Sequence, residues 1–157
     1  MFARGVFFEK IVRKTKFKDW NFTGYATDGL QGLNIPNFYL VDFFKNGVVA
    51  SLKTTKVTDV KAWLNPNSAL GRKNQNHILG LMDGIKNQKF TQLSNGGGKS
   101  LNNITKAELH IVVLDLGAID KVEWTKAIKK IAKDEGYSDA TIKNLKIEFA
   151  TMEQILN

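Results

Sequence analysis

Cysteine is absent from this 157-residue chain, and proline occurs only twice. Without a thiol there is no disulfide framework, no thiol nucleophile and no Cys-containing zinc pattern. Long hydrophobic runs are missing as well. The most apolar stretch, residues 109–116, is interrupted by His110 and Asp115 and falls far short of the roughly 18 to 20 residues that span a bilayer. No membrane span is expected. The first ten residues also lack the order of charges, apolar run and small-residue cleavage site that marks a signal peptide. Acids are in short supply, 15 Asp and Glu against 23 Lys and Arg, which leaves a formal charge of +8.

The chain is 43% hydrophobic and 10% aromatic, enough for one globular domain that removes about two-thirds of its unfolded surface from water. The basic excess is uneven. Residues 1–78 hold 12 Lys and Arg against 5 Asp and Glu, whereas residues 79–157 hold 11 against 10. A basic half draws in phosphates and supplies the sequence-independent part of nucleic-acid affinity. A merely solvated face has the same composition, so the arrangement of residues has to decide.

Hydrophobic spacing predicts an amphipathic helix over residues 2–14, with Glu9 as its only acid. A Gly-containing loop follows, then a strand over residues 38–44, a two-residue turn at Asn46-Gly47 and a second strand over 48–53. Asn-Gly between apolar runs marks a hairpin, because both central residues of a type I′ turn need positive φ. The Asn- and Lys-rich middle, residues 54–106, offers one short helix around 77–85. Residues 108–116 read as a strand buried on both faces and central in a sheet. Asp120 is the expected N-cap of the next helix, with Glu123 three residues on, an apolar stripe through Trp124 and Ile128, and Gly136 at the end. Residues 145–150 form a last strand. The order helix, hairpin, mixed segment, strand, helix, strand predicts a layered α/β or α+β domain.

A two-residue turn fixes the hairpin register. Lys45 then faces Val48, Asp42 faces Ser51 and Leu40 faces Lys53, so Asp42, Ser51 and Lys53 share one face while Val41, Phe43, Ala50 and Leu52 cover the other. Such a trio ordinarily sits on the solvent side of an amphipathic hairpin. Placed inside strands this apolar, a carboxylate and an ammonium cost several kcal/mol unless they pair or bind a ligand. A strand acid with a lysine on its hairpin partner is also the core of a metal-dependent nuclease site. There the carboxylate holds a divalent cation that lowers the pKa of a bound water, and the lysine positions that water or stabilises charge. Glu9 is the available third acid.

At residues 35–44 and 47–54 the chain resembles the C-terminal tRNase toxin domains of contact-dependent growth inhibition systems, which are variants of the PD-(D/E)XK nuclease fold. The resemblance implies a mixed sheet with an N-terminal helix, a central hairpin and flanking helices. It implies Asp42 as the strand carboxylate, Lys53 as the catalytic lysine and Glu9 as the helix carboxylate. Ser51 stands where the wider superfamily has Asp or Glu, which removes one ligand for the implied divalent ion (Mg, Mn or Zn). Lys56 stands where some relatives carry an acid, so Asp28 and Asp59 are further candidate ligands. Also implied are tRNA as substrate, delivery as the C-terminal part of a larger exported protein, action in the cytoplasm of a target cell and a cognate immunity protein. A host protein cofactor is a further possible partner.

Candidate nucleic-acid contacts are Lys56, Arg72, Lys73 and Trp63, the tryptophan expected to be most exposed. His110, in an apolar strand, is expected to be structural. His77, near Arg72 and Lys73, is the candidate general acid or base of a metal-independent ribonuclease. The stretch Gly96-Gly97-Gly98-Lys99-Ser100 fails as a P-loop, because Leu93 occupies the position of the first required Gly. Two rival readings stay open, a DNase using the same residues and a nucleic-acid-binding module without catalysis.

Overall fold

A computed structural model describes residues 16–22 and 38–156. The expected helix at 2–14, with Glu9, and the loop carrying Asp28 lie outside the described residues.

The sheet is built around the Asn46-Gly47 turn, where φ is 50° and 78° as a type I′ turn requires. It joins β2 (Phe43–Lys45) to β3 (Val48–Thr54) in the expected register, Lys45 opposite Val48 and Phe43 opposite Ala50. A two-residue strand, β1 (Asn21–Phe22), pairs with β2. The chain then forms α1 (Val60–Trp63) and α2 (Ala69–Asn87). A small hairpin of β4 (Lys89–Thr91) and β5 (Ser100–Asn102) follows. Next β6 (Lys106–Val113) returns parallel to β3. A 3-10 turn at Leu116–Ala118, α3 (Lys121–Asp134) and α4 (Asp139–Ile142) lead to β7 (Leu145–Thr151), parallel to β6, and to α5 (Met152–Leu156). The order in the main sheet is β1-β2-β3-β6-β7. The protein is thus a mixed α/β domain of the α+β kind, with β6 interior as expected.

Strand alternation sorts the core. Ala107, Leu109, Ile111 and Val113 of β6 face α2 and α3, meeting Ile78, Leu81, Trp124 and Ile128 in the main cluster. On the opposite face Phe43, Ala50 and Val112 pack with Phe17 and with Ile155 of α5. The Phe17 and Phe43 rings stack at 4.4 Å.

Six expectations need correction. The strand over 38–44 is cut to Phe43–Lys45, because Leu40 takes φ 68° and turns the chain out of the sheet. Leu40 therefore does not oppose Lys53, and its side chain lies against Gly80 of α2. Val41 consequently joins the α2-side cluster rather than the far face with Phe43. The short helix at 77–85 is a 19-residue helix capped by Ser68, whose hydroxyl accepts from the Gly71 amide. The strand expected over 108–116 stops at Val113, after which Asp115 caps the 3-10 turn. Trp63, expected outside, is 2% exposed. It stacks at a tilt on Trp124, 5.1 Å between ring centres, because α1 folds down onto α3.

Candidate active site

The hairpin and the first half of α2 build the site together. The Asp42 amide donates to the Ala50 carbonyl at 3.0 Å. Its carboxylate Oδ2 accepts from the Leu52 amide at 2.8 Å. Asp42 thus stands just before β2, held to β3 by its backbone and its side chain. Ser51 and Lys53, two residues apart on β3, both reach toward α2. The Ser51 hydroxyl, 1% exposed, shares a hydrogen bond of 2.7 Å with His77 Nε2. Lys53 Nζ donates to Asn74 Oδ1 at 2.9 Å, while Asn74 Nδ2 donates to the Trp63 carbonyl at 2.8 Å. Asn74 and His77, three residues apart, face the strand from successive turns of α2.

Burial shapes the electrostatics. Lys53 is half-buried, and its pKa is lowered from the ordinary 10.5 to about 8, by burial first and then by the charge of Lys73, while Asp42 opposes the drop. His77 is lowered to about 3, again by burial first, then by Lys53 and Lys73. It stays neutral and hydrogen-bonded at physiological pH, far from the value that suits a general acid or base. The structure thus brings Asp42, Ser51 and Lys53 to one place, with Asn74 and His77 behind them.

Lys53 also borders a cavity of about 270 Å³ at the carboxyl ends of β3, β6 and β7, the edge where open α/β sheets take ligands. Lys56 and Lys73 line the same cavity. Arg72 is exposed on α2, its guanidinium donating to the Pro66 carbonyl at 3.3 Å. Asp59 is committed elsewhere, capping α1 by accepting from the Lys61 amide.

As a metal site this corner is incomplete among the described residues. Asp42 is the carboxylate that acts on Lys53, Ser51 is taken up by His77, and Glu9 lies outside the described part. With one carboxylate, a divalent ion there would draw the rest of its shell from water and substrate phosphate oxygens. A set that could hold a metal ion occurs on the other face of the sheet, where ligand atoms of Glu108, His110 and Glu148 all lie within 4.8 Å of one another. His110 is 3% exposed and sits edge-on to Phe17 at 5.1 Å. Its Nε2 is 2.8 Å from Glu108 and its Nδ1 is 3.3 Å from Glu148. Lys16 and Lys146 also pair with Glu148. Burial pushes the Glu148 carboxyl up, but the Lys146 hydrogen bond and the charges of His110, Lys16 and Lys146 outweigh it and hold the pKa below the ordinary 4.5.

Asn74 and the Glu108, His110, Glu148 group were not legible as a site beforehand. Glu108 and His110 do alternate onto one strand face, but Glu148 joins them only through the β6–β7 register. No family model matches the chain, and no curated protein or solved structure matches it either. Among the described residues no helix is long and apolar enough to cross a membrane.

Proposed function

We propose that this chain is a nuclease that hydrolyses phosphodiester bonds in RNA, tRNA foremost, with Asp42 and Lys53 at its centre. The observation that carries the reading is a carboxylate beside a partly desolvated lysine at a lysine-lined cavity. With a pKa of about 8, Lys53 is still mostly cationic at neutral pH. Poor hydration makes its charge more effective on a phosphate oxygen than that of a surface lysine. Asn74 holds the ammonium in place, and the Leu52 amide holds Asp42 where its charge favours the cationic lysine. Ser51 and His77 fix β3 against α2 beneath them. A divalent ion, Mg, Mn or Zn, bound by Asp42 with Glu9 would supply a water of lowered pKa.

The same reading makes the chain the C-terminal toxin part of a larger exported protein, acting in the cytoplasm of a target cell and neutralised by an immunity protein. A host protein cofactor could join it there. The decisive experiment incubates total bacterial RNA, and DNA alongside, with the protein, its Asp42→Asn variant and its Lys53→Met variant, with metal and with excess chelator. Asn keeps an acceptor for the Leu52 amide, so Asp42→Asn preserves the hairpin. Cleavage of RNA by the native chain and its loss in both folded variants are expected. Full activity in both variants would sink the assignment, and cleavage of DNA alone would move it to a DNase.

A further inference from the structure

The cavity beside Lys53 has two kinds of wall. Lys53, Lys56 and Lys73 supply cationic side chains, and among the described residues no acid lines it. The rest is largely apolar: Val57, Trp63, Val112 and Val113 inside, with Leu70 and Leu114 among its borders. Leu70 is 43% exposed and Leu114 64%, two of the few large apolar side chains left in water among the described residues. Exposed leucines beside a concave site make it attractive to an apolar plane, while three lysines with no acid ask for an anion. A nucleotide has both, a flat base and a phosphate.

Size narrows the occupant. At about 270 Å³ the cavity falls just under the range of roughly 300 to 1,000 Å³ typical of drug-sized ligands, which is room for a nucleobase. A base inside a duplex is held by its neighbours and its partner strand and can enter such a cavity only after leaving the stack, at a cost of a few kcal/mol that an unpaired nucleotide does not incur. We infer that this cavity is a base-binding subsite for the nucleotide next to the phosphate engaged by Lys53, and that the substrate class is therefore RNA with an unpaired nucleotide at the cleavage point. The inference rests on the nuclease reading for its substrate, but the subsite is testable without catalysis.

The test titrates the full chain calorimetrically with each of the four ribonucleoside 5′-monophosphates and, separately, with inorganic phosphate. At least one nucleotide should bind about tenfold or more tighter than phosphate, a gain of about 1.4 kcal/mol. Leu70→Glu and Leu114→Glu place a carboxylate at exposed positions bordering the cavity. Neither should unfold the protein, and Leu70 occupies the first turn of α2, where an acid is favourable. Both variants should weaken nucleotide binding at least tenfold, and both should raise KM for single-stranded RNA with kcat little changed. The subsite is overturned if phosphate binds as well as every nucleotide, or if neither folded variant weakens nucleotide binding. Blunt duplex RNA cut as fast as single-stranded RNA overturns the substrate class. Nucleotide binding that depends on Leu70 and Leu114, in a protein that cleaves no nucleic acid, would uphold the subsite and overturn the nuclease reading. Cleavage that needs Asp42 and Lys53 but ignores both leucines would do the reverse.

Discussion

Replacing Lys53 by methionine should abolish cleavage while leaving the domain about as stable at pH 7, an unusual outcome for a half-buried residue. Lowering the lysine pKa from 10.5 to about 8 means that folding holds this ammonium at a cost on the order of 3 kcal/mol. Methionine removes that cost and fills a similar volume with a flexible stem. Against it, Asn74 Oδ1 loses the donor that Lys53 supplies, which costs about 1 to 3 kcal/mol for a buried acceptor left unpaired. The two effects offset each other near neutrality. They separate with pH. Between the folded value of about 8 and the ordinary value of 10.5 the unfolded chain keeps the proton and the folded chain releases it, so stability rises with pH across that window. From pH 7 to pH 10 the native protein should gain about 2.5 kcal/mol relative to the Lys53→Met variant. Urea unfolding of both proteins at the two pH values measures this, and the difference cancels titrations they share. A stability difference that does not move between pH 7 and pH 10 would refute the claim that Lys53 is held in a desolvated, strained state, and with it the argument for its enhanced action on phosphate.

His77 predicts the opposite pH edge. Its folded pKa of about 3 lies below the ordinary 6.5, so its contribution is full above pH 6.5 and is lost as pH falls toward 3. That loss amounts to about 2 kcal/mol at pH 5, and a His77→Gln variant should lack this component in acid unfolding curves. Gly71 tests the packing that aims α2 at the hairpin: a Cβ there would sit 1.8 Å from the Asn65 carbonyl oxygen. Gly71→Ala should therefore lower stability by about 3 kcal/mol, read from the thermal midpoint, whereas Gly96→Ala, with open space around it, should change little beyond the strain of its positive φ.

Local signals were legible where local physics decides. Asn46-Gly47 set the turn and the register, and the Asp120 cap set the start of α3 through its bond with the Glu123 amide. The interior position of β6 followed from an apolar run long enough to be covered on both faces. What failed was set by tertiary contacts. An apolar run around Leu40 looks like a strand, yet the leucine is drawn onto Gly80 of α2, a contact no window of sequence contains. Trp63, surrounded in sequence by Lys61 and Asn65, looked exposed until α1 laid it against Trp124. Of the site, Asp42, Ser51 and Lys53 could be grouped from alternation alone. Asn74 and His77 could not, because their role depends on how α2 crosses the sheet, 21 and 26 residues from their partners.

Two places on this sheet are candidates for a divalent ion, and they lie on opposite faces. The Asp42 corner has the chemistry of the proposed reaction but one carboxylate among the described residues. The Glu108, His110 and Glu148 group has a more complete donor set, but both oxygens of Glu148 are already in use. Glu148 Oε1 takes Lys146 at 2.8 Å and Oε2 takes Lys16 at 3.3 Å. An ion binding there must displace both lysines from Glu148 or share the carboxylate with them, and two adjacent positive charges work against it. Removing the exposed Lys146 with Lys146→Met should therefore tighten Mn or Zn binding to this face, as seen by calorimetry, at little cost in stability because the lysine itself is largely solvated. Equal affinity in the native and Lys146→Met proteins would mean that the ion does not bind at Glu148. Catalysis then tells the faces apart. If cleavage requires metal at the Asp42 corner, a Glu148→Gln variant keeps chelator-sensitive activity and Asp42→Asn loses it. If Glu148→Gln alone abolishes metal-dependent cleavage, the ion that matters sits behind the sheet, and the proposed reaction centre at Asp42 and Lys53 fails.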